Sequence, residues 1–245
     1  MILTHFITRL DKLLQTFSSR RLATALLKHR VLTGSEHRHI FQADLKTVVD
    51  IGANRGQFAL AARCWAPAAR LICFEPLSGP AKVFRLVFSG DNMVKLHEVA
   101  IGPHPEIRTM HISARDDSSS LLPITSLQFT IFPGTGEIST IQVRVAPLET
   151  FVEPQTIMTP ALLKLDVQGF EYEALCGCES MLKEFDFVYC ECSFVELYAG
   201  QKLAANVIDW LSMRGFCLKG VFNPAYDAAG QAIQADFLFG RAVSN

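Results

Sequence analysis

The chain has 245 residues, 49% of them hydrophobic and 19% charged, with a formal net charge of -1 and seven cysteines. These values describe a globular chain that can bury a large core, and they exclude an intrinsically disordered one. The near-zero charge gives no overall attraction to nucleic acid or acidic membrane. No apolar run approaches the roughly 20 residues of a membrane span.

Residues 1–40 read as an N-terminal helical extension. Phe6, Leu10, Leu13, Leu14 and Phe17 recur at helical spacing, with Arg9 and Lys12 on the flanks. Ser18-Ser19 interrupts this pattern, and Arg20-Arg21 opens a second one through Leu22, Leu26 and Leu27. Such a helix can lie on a membrane surface or pack on the core and cap a cleft, and packing is the preferred reading. A cleaved leader is not expected, because His5, Arg9 and Asp11 break the first apolar stretch.

Residues 41–245 read as one α/β domain. Strands are expected at 47–51, 70–75, 93–98, 161–166, 186–192, 215–221 and 235–240, and helices at 56–64, 79–88, 170–183 and 203–213. This alternation predicts a mostly parallel sheet covered on both faces. Two segments break it. Residues 103–160 are rich in Pro and Gly, with strand-like runs at 107–112 and 138–145, and read as a hairpin-like insertion on the substrate side of a cleft. At the end, two strands joined across Asn223–Gly230 suit an antiparallel hairpin closing the sheet.

Chemistry concentrates at the ends of the expected strands. The β-branched run Thr47-Val48-Val49 leads to Asp50 and then to the turn Gly52-Ala53-Asn54-Arg55-Gly56 before a helix. This pattern builds a nucleotide-type site at the carboxyl end of a first strand. Glu75 closes the next apolar run at about the 20-residue spacing of an acid that grips a ribose diol. Asn54 replaces the middle glycine that admits a pyrophosphate, and Asp50 would repel one but suits the amino group of a methionine moiety. S-adenosylmethionine is therefore preferred over NAD. Asp166 and Glu191 end or nearly end later strands and Glu171 follows Asp166, which places all three carboxylates around one cleft.

The cysteines read as reduced, buried small hydrophobes of a cytoplasmic protein. The spacings Cys176-x-Cys178 and Cys190-x-Cys192 are too short for the usual structural zinc pairs, so no metal is assigned.

Taken together, DIGANRGQF, FEP, HEVAIG, Asp116–Leu121, Pro147–Phe151 and LKLDVQGFE make the chain resemble the FkbM family of S-adenosylmethionine-dependent methyltransferases, in order from about residue 45 to 195. The resemblance implies a class I, Rossmann-like methyltransferase fold with a seven-stranded sheet. It also implies O-methylation of a hydroxyl on a sugar or secondary metabolite. Members often carry Glu where this chain has Gln168, which removes a carboxylate beside Asp166. By position, Asp50, Gly52, Asn54 and Gly56 would shape the cofactor turn. Glu75 would take the ribose hydroxyls, Val99 and Ala100 of the segment His97–Ala100 would lie against adenine, and Asp166 would face the methyl group.

An alcohol needs a base to become a good nucleophile. Asp166, Glu191 and Glu171 are the first candidates, followed by His111 and His97. Two rival functions are a NAD-dependent oxidoreductase and a catalytically silent scaffold whose N-terminal helix recruits a partner. Asn223-Pro224-Ala225-Tyr226 resembles the Asn-Pro-Pro-Tyr signature of amine methylation but follows the sixth strand instead of the fourth, so an ordinary turn is expected there. The expected partner is a small-molecule hydroxyl acceptor, not nucleic acid.

Overall fold

The computed structural model describes residues 20–242. The helical pattern read at Phe6–Phe17 lies outside the described residues. The described part contains strands β1 (Thr47–Ile51), β2 (Arg70–Phe74), β3 (Val94–His97), β4 (Ala100–Ile101), β5 (Glu106–Ser113), β6 (Glu137–Ala146), β7 (Ala161–Leu165), β8 (Phe187–Ser193), β9 (Phe216–Tyr226) and β10 (Ala232–Arg241). The helices are α1 (Arg20–His29), α2 (Gln57–Trp65), α3 (Ser78–Val87), α4 (Ser126–Ile131), α5 (Glu171–Cys176) and α6 (Ala204–Ser212). None is long and apolar enough to cross a membrane.

Seven strands form one sheet in the order β3-β2-β1-β7-β8-β10-β9, with β10 antiparallel to both neighbours. This is the class I methyltransferase arrangement, and the closing hairpin takes the form expected from the sequence. Every residue of β1 and β7 is buried, as befits parallel strands covered on both faces. Val49, Ile51, Leu163 and Leu165 face the core beneath α5 and α6, whereas Val48 and Leu162 face the core beneath α1, α2 and α3. Alternation then puts Asp50 and Lys164 on the second face, opposite one another in register. The strand order reverses between β1 and β7, so their carboxyl ends open a crevice suited to a ligand.

Residues 100–146 contribute a separate three-stranded sheet, β4-β6-β5. Its Met110, Val143 and Val145 pack with Leu77 and Phe170 beside the crevice. The expected strands at 107–112 and 138–145 are β5 and β6.

Two elements differ from expectation. The single helix read over 170–183 is α5 followed by a 3-10 turn at Glu179–Glu184. The break falls where Gly177 presses against Gly102: a Cβ there would sit 2.5 Å from the Gly102 carbonyl oxygen. Asn223-Pro224, read as the turn, lies inside β9. That strand is the sheet edge, where a proline costs no ladder bond, and Asn223 takes a left-handed φ of 49° within a stretch of register shifts. The turn comes later, where Asp227 Oδ1 accepts from the Ala229 and Gln231 backbone N–H groups. In α1, Leu22 and Ala25 are buried but Leu27 is exposed.

Candidate active site

The turn after β1 is built by close approach. Gly52 has φ 80°, and a Cβ on it would lie 1.8 Å from the Asp166 carbonyl oxygen. Only glycine lets the ends of β1 and β7 meet this way. Its N–H and that of Ala53 donate to the Phe74 carbonyl, which ties the turn to β2 as well. Asn54 takes the left-handed region with φ 46° and accepts from the Arg55 N–H through Oδ1. Gly56 has a packing role, because a Cβ there would strike Phe88 at 2.6 Å.

Glu75 is fixed against this turn. Its Oε2 accepts from the Asn54 N–H at 2.9 Å and its Oε1 from the Leu77 N–H at 2.8 Å. Burial raises its pKa to about 7, with the two backbone donors working in the opposite direction. Each oxygen keeps a lone pair for a ligand hydroxyl.

Asp50 does not line the crevice, contrary to the sequence reading. It is 1% exposed, and its Oδ1 lies 3.0 Å from Lys164 Nζ, which also donates to the Gly52 carbonyl at 3.1 Å. The reason is face parity: Asp50 points where Val48 points, into the layer occupied by Lys164. Burial disfavours the Lys164 charge, but Asp50 and Asp166 outweigh it and hold the ammonium above its ordinary range.

Asp166, Glu171 and Glu191 come together, with carboxylate oxygens within 4.8 Å of one another. Their surroundings differ. Glu171 Oε1 accepts from the Val167 and Gly169 N–H groups, and burial raises its pKa to about 7. Glu191 accepts from Gln234 Nε2 at 2.7 Å and from Gln168 Nε2 at 3.1 Å; burial and then the nearby acids push it well up. Gln168 Nε2 also donates to Asp166 Oδ1 at 2.8 Å, so one neutral amide bridges two acids. The Tyr198 hydroxyl donates to Gln168 Oε1 at 2.8 Å and fixes that amide's orientation. Of the three acids, Asp166 alone lines the crevice, with 41% of its side chain exposed.

The crevice encloses about 380 Å³. Phe74, Val99, Ala100 and Ile101 give it an apolar wall, and Asn54, Glu75, Asp166 and Gln168 supply polar groups. Of the segment His97–Ala100, Val99 and Ala100 reach it. His97 instead stacks on Phe74, and Glu98 pairs with Arg85. His111 pairs with Glu137 and does not line the crevice. Residues 115–119 also line it, and Arg55 Nε donates to Asp116 Oδ2 at 3.1 Å. The Ser118–Ser120 run ties this segment to β5: Ser119 Oγ accepts from the Ser113 N–H, and Ser120 exchanges backbone bonds with His111. His37, which the sequence reading missed, lines the crevice from the N-terminal side.

Residues 50–218 match the family described as Methyltransferase FkbM domain. The chain belongs to this family. The FkbM-domain match spans the β1 turn, Glu75, the covering sheet and the acid cluster, and it begins after His37. The 2-O-methyltransferase NoeI of Sinorhizobium fredii (strain NBRC 101917 / NGR234) is 29% identical over 175 residues, covering 67% of this chain and 70% of NoeI. Methyltransferase FkbM from Methylobacillus flagellatus KT has a similar fold, with a TM-score of 0.51 and 13% identity. That likeness covers 79% of this chain and 44% of the other, so the chain spans less than half the length of that solved relative. Membership of a methyltransferase family displaces the NAD-dependent oxidoreductase alternative.

Proposed function

We propose that the protein is an S-adenosylmethionine-dependent O-methyltransferase acting on a hydroxyl of a sugar or secondary metabolite. The observation that carries this reading is Glu75, held by two backbone N–H groups at the crevice edge with acceptor capacity left over. A carboxylate so placed suits a ribose diol, and the apolar wall at Val99 and Ala100 suits an adenine ring. Gly52 and Asn54 shape the methionine end, and Gly56 supports the turn from behind. Asp50 acts there through Lys164 and the Gly52 carbonyl.

The bound cofactor supplies a sulfonium methyl group as electrophile. The chain's own work is to orient the acceptor in line and exclude water. Asp166, at the tip of β7, faces the reacting region; Glu171 and Glu191 hold Gln168 and the turn after β7 in place. NoeI is named a 2-O-methyltransferase, which supports a hydroxyl acceptor here. All seven cysteines are free thiols, which supports a reducing compartment such as the cytoplasm.

Incubation with methyl-labelled S-adenosylmethionine and a panel of methyl glycosides and polyols tests this function. Label recovered in a methyl ether is the expected result. Label transferred to amines alone, or oxidation of the panel with NAD instead, would overturn it.

A further inference from the structure

We propose that His37 is the general base that takes the proton from the acceptor hydroxyl, with Tyr189 and Asp236 as its positioning residues. This rests on the methyltransferase reading above. His37 stands in the 3-10 segment Ser35–Gln42, and its side chain is 18% exposed where it lines the crevice. The Gly34 N–H donates to the Gln57 carbonyl at 3.1 Å, which anchors this segment to the start of α2.

The hydrogen bonds choose the tautomer. Tyr189 donates its hydroxyl proton to Asp236 Oδ2 at 2.9 Å, and Asn223 Nδ2 donates to the same oxygen at 2.8 Å. With its proton committed, the Tyr189 oxygen accepts from His37 Nδ1–H, 3.0 Å away. Nε2, on the far side of the ring, is left with the lone pair and makes no hydrogen bond among the described residues. Edge contacts with Phe58 and Tyr189, at 5.3 and 5.5 Å between centroids, hold the ring plane. In the same crevice, Gln57 Oε1 is buried without a hydrogen-bond partner among the described residues, which suits a ligand's hydroxyl or amine.

Charge around the ring fits the task. Glu36 Oε1 lies 3.9 Å from Nε2 and Asp236 Oδ2 lies 3.7 Å from Nδ1, while Lys164 and Asp166 face it from β7 and the turn beyond. Burial outweighs the acids and holds His37 below the ordinary histidine range, so the imidazole is neutral at pH 7. Asp166 and Glu171 beyond β7 and Glu191 in β8 are already committed to Gln168, Gln234 or backbone donors.

In the step, Nε2 takes the hydroxyl proton while the oxygen's electron pair forms the new C–O bond and the C–S pair returns to sulfur. The positive charge leaves the sulfonium and ends on the imidazolium, beside Glu36, until water takes the proton.

The test combines ¹⁵N NMR of histidine-labelled full-length protein with kinetics. In the free protein, His37 is expected as the Nδ1–H tautomer, titrating below pH 6.5, and Tyr189→Phe should give mixed tautomers. An Nε2–H tautomer in the wild type would overturn the proposal. His37→Gln is expected to lose 100-fold or more in turnover of a methyl glycoside, with S-adenosylhomocysteine affinity within twofold of wild type. A loss under tenfold would overturn it. Failure of the wild type to bind S-adenosylhomocysteine would instead overturn the cofactor reading on which it rests.

Discussion

Lys164 Nζ lies 3.0 Å from Asp50 Oδ1, on adjacent parallel strands in direct register, and donates to the Gly52 carbonyl that starts the turn after β1. Both side chains are almost wholly buried. The pair therefore transmits the position of β7 to the turn after β1, and its removal has consequences for stability and binding together.

Lys164→Met strands the Asp50 carboxylate in the core, and such half-removals cost about 3–5 kcal/mol. The double variant Asp50→Leu/Lys164→Met should recover much of that stability in chemical denaturation. Affinity for S-adenosylhomocysteine should remain weak in the double variant, because the Gly52 carbonyl has lost its donor. Recovery of both properties together would detach the pair from the site.

Gly52→Ala places a methyl 1.8 Å from the Asp166 carbonyl at a positive φ. Loss of S-adenosylhomocysteine binding by about 100-fold or more is expected, at roughly 3 kcal/mol per such factor. Gly79→Ala is the matched control: it lies in α3 with nothing within 4 Å of its added Cβ, and helix propensity favours it by up to about 1 kcal/mol.

Glu75 supplies a pH prediction. Its folded pKa is about 7, raised from an ordinary 4.5 by burial. The folded state then holds a proton that the unfolded chain releases, so this group's contribution is present below pH 4.5 and lost as pH rises through 7. Glu75→Gln loses one acceptor for a backbone N–H at every pH, but between pH 4.5 and pH 8 it should gain about 1–3 kcal/mol on wild type, read as denaturation midpoints. Ribose hydroxyls donating to the carboxylate favour its ionised form, so S-adenosylhomocysteine binding near pH 6.5 should release a proton. Calorimetry in two buffers of different ionisation enthalpy measures this directly.

Gln168→Glu exchanges a bridging donor for a charge among Asp166, Glu171 and Glu191. A cost of about 2–3 kcal/mol at pH 8, shrinking toward pH 5 as Glu171 and Glu191 protonate, is expected in denaturation. A cost independent of pH would mean that Gln168 serves packing alone.

Much of this architecture is legible in the chain because it is local. The runs Thr47–Ile51 and Ala161–Leu165 are short, apolar and bounded, and acids at or just beyond strand ends mark the crevice through Glu75 and Asp166. The direction of Asp50 was not legible, because strand parity, and not proximity to the turn, decides which way it points. Its partner Lys164 lies on the neighbouring strand but far along the chain. His37 carried no local signal: its hydrogen-bond partner Tyr189 is 152 residues away, and only the sheet brings β8 and β10 beneath it. The break after α5 depends on Gly177 meeting Gly102, another contact that no periodicity encodes.

The most direct measurement is calorimetric titration of the purified chain with S-adenosylhomocysteine, with NAD and Glu75→Ala as controls. Micromolar binding to the wild type, lost in Glu75→Ala and absent for NAD, is the expected result. Absence of binding by the wild type, or binding untouched by Glu75→Ala, would contradict the assignment of this crevice to the cofactor.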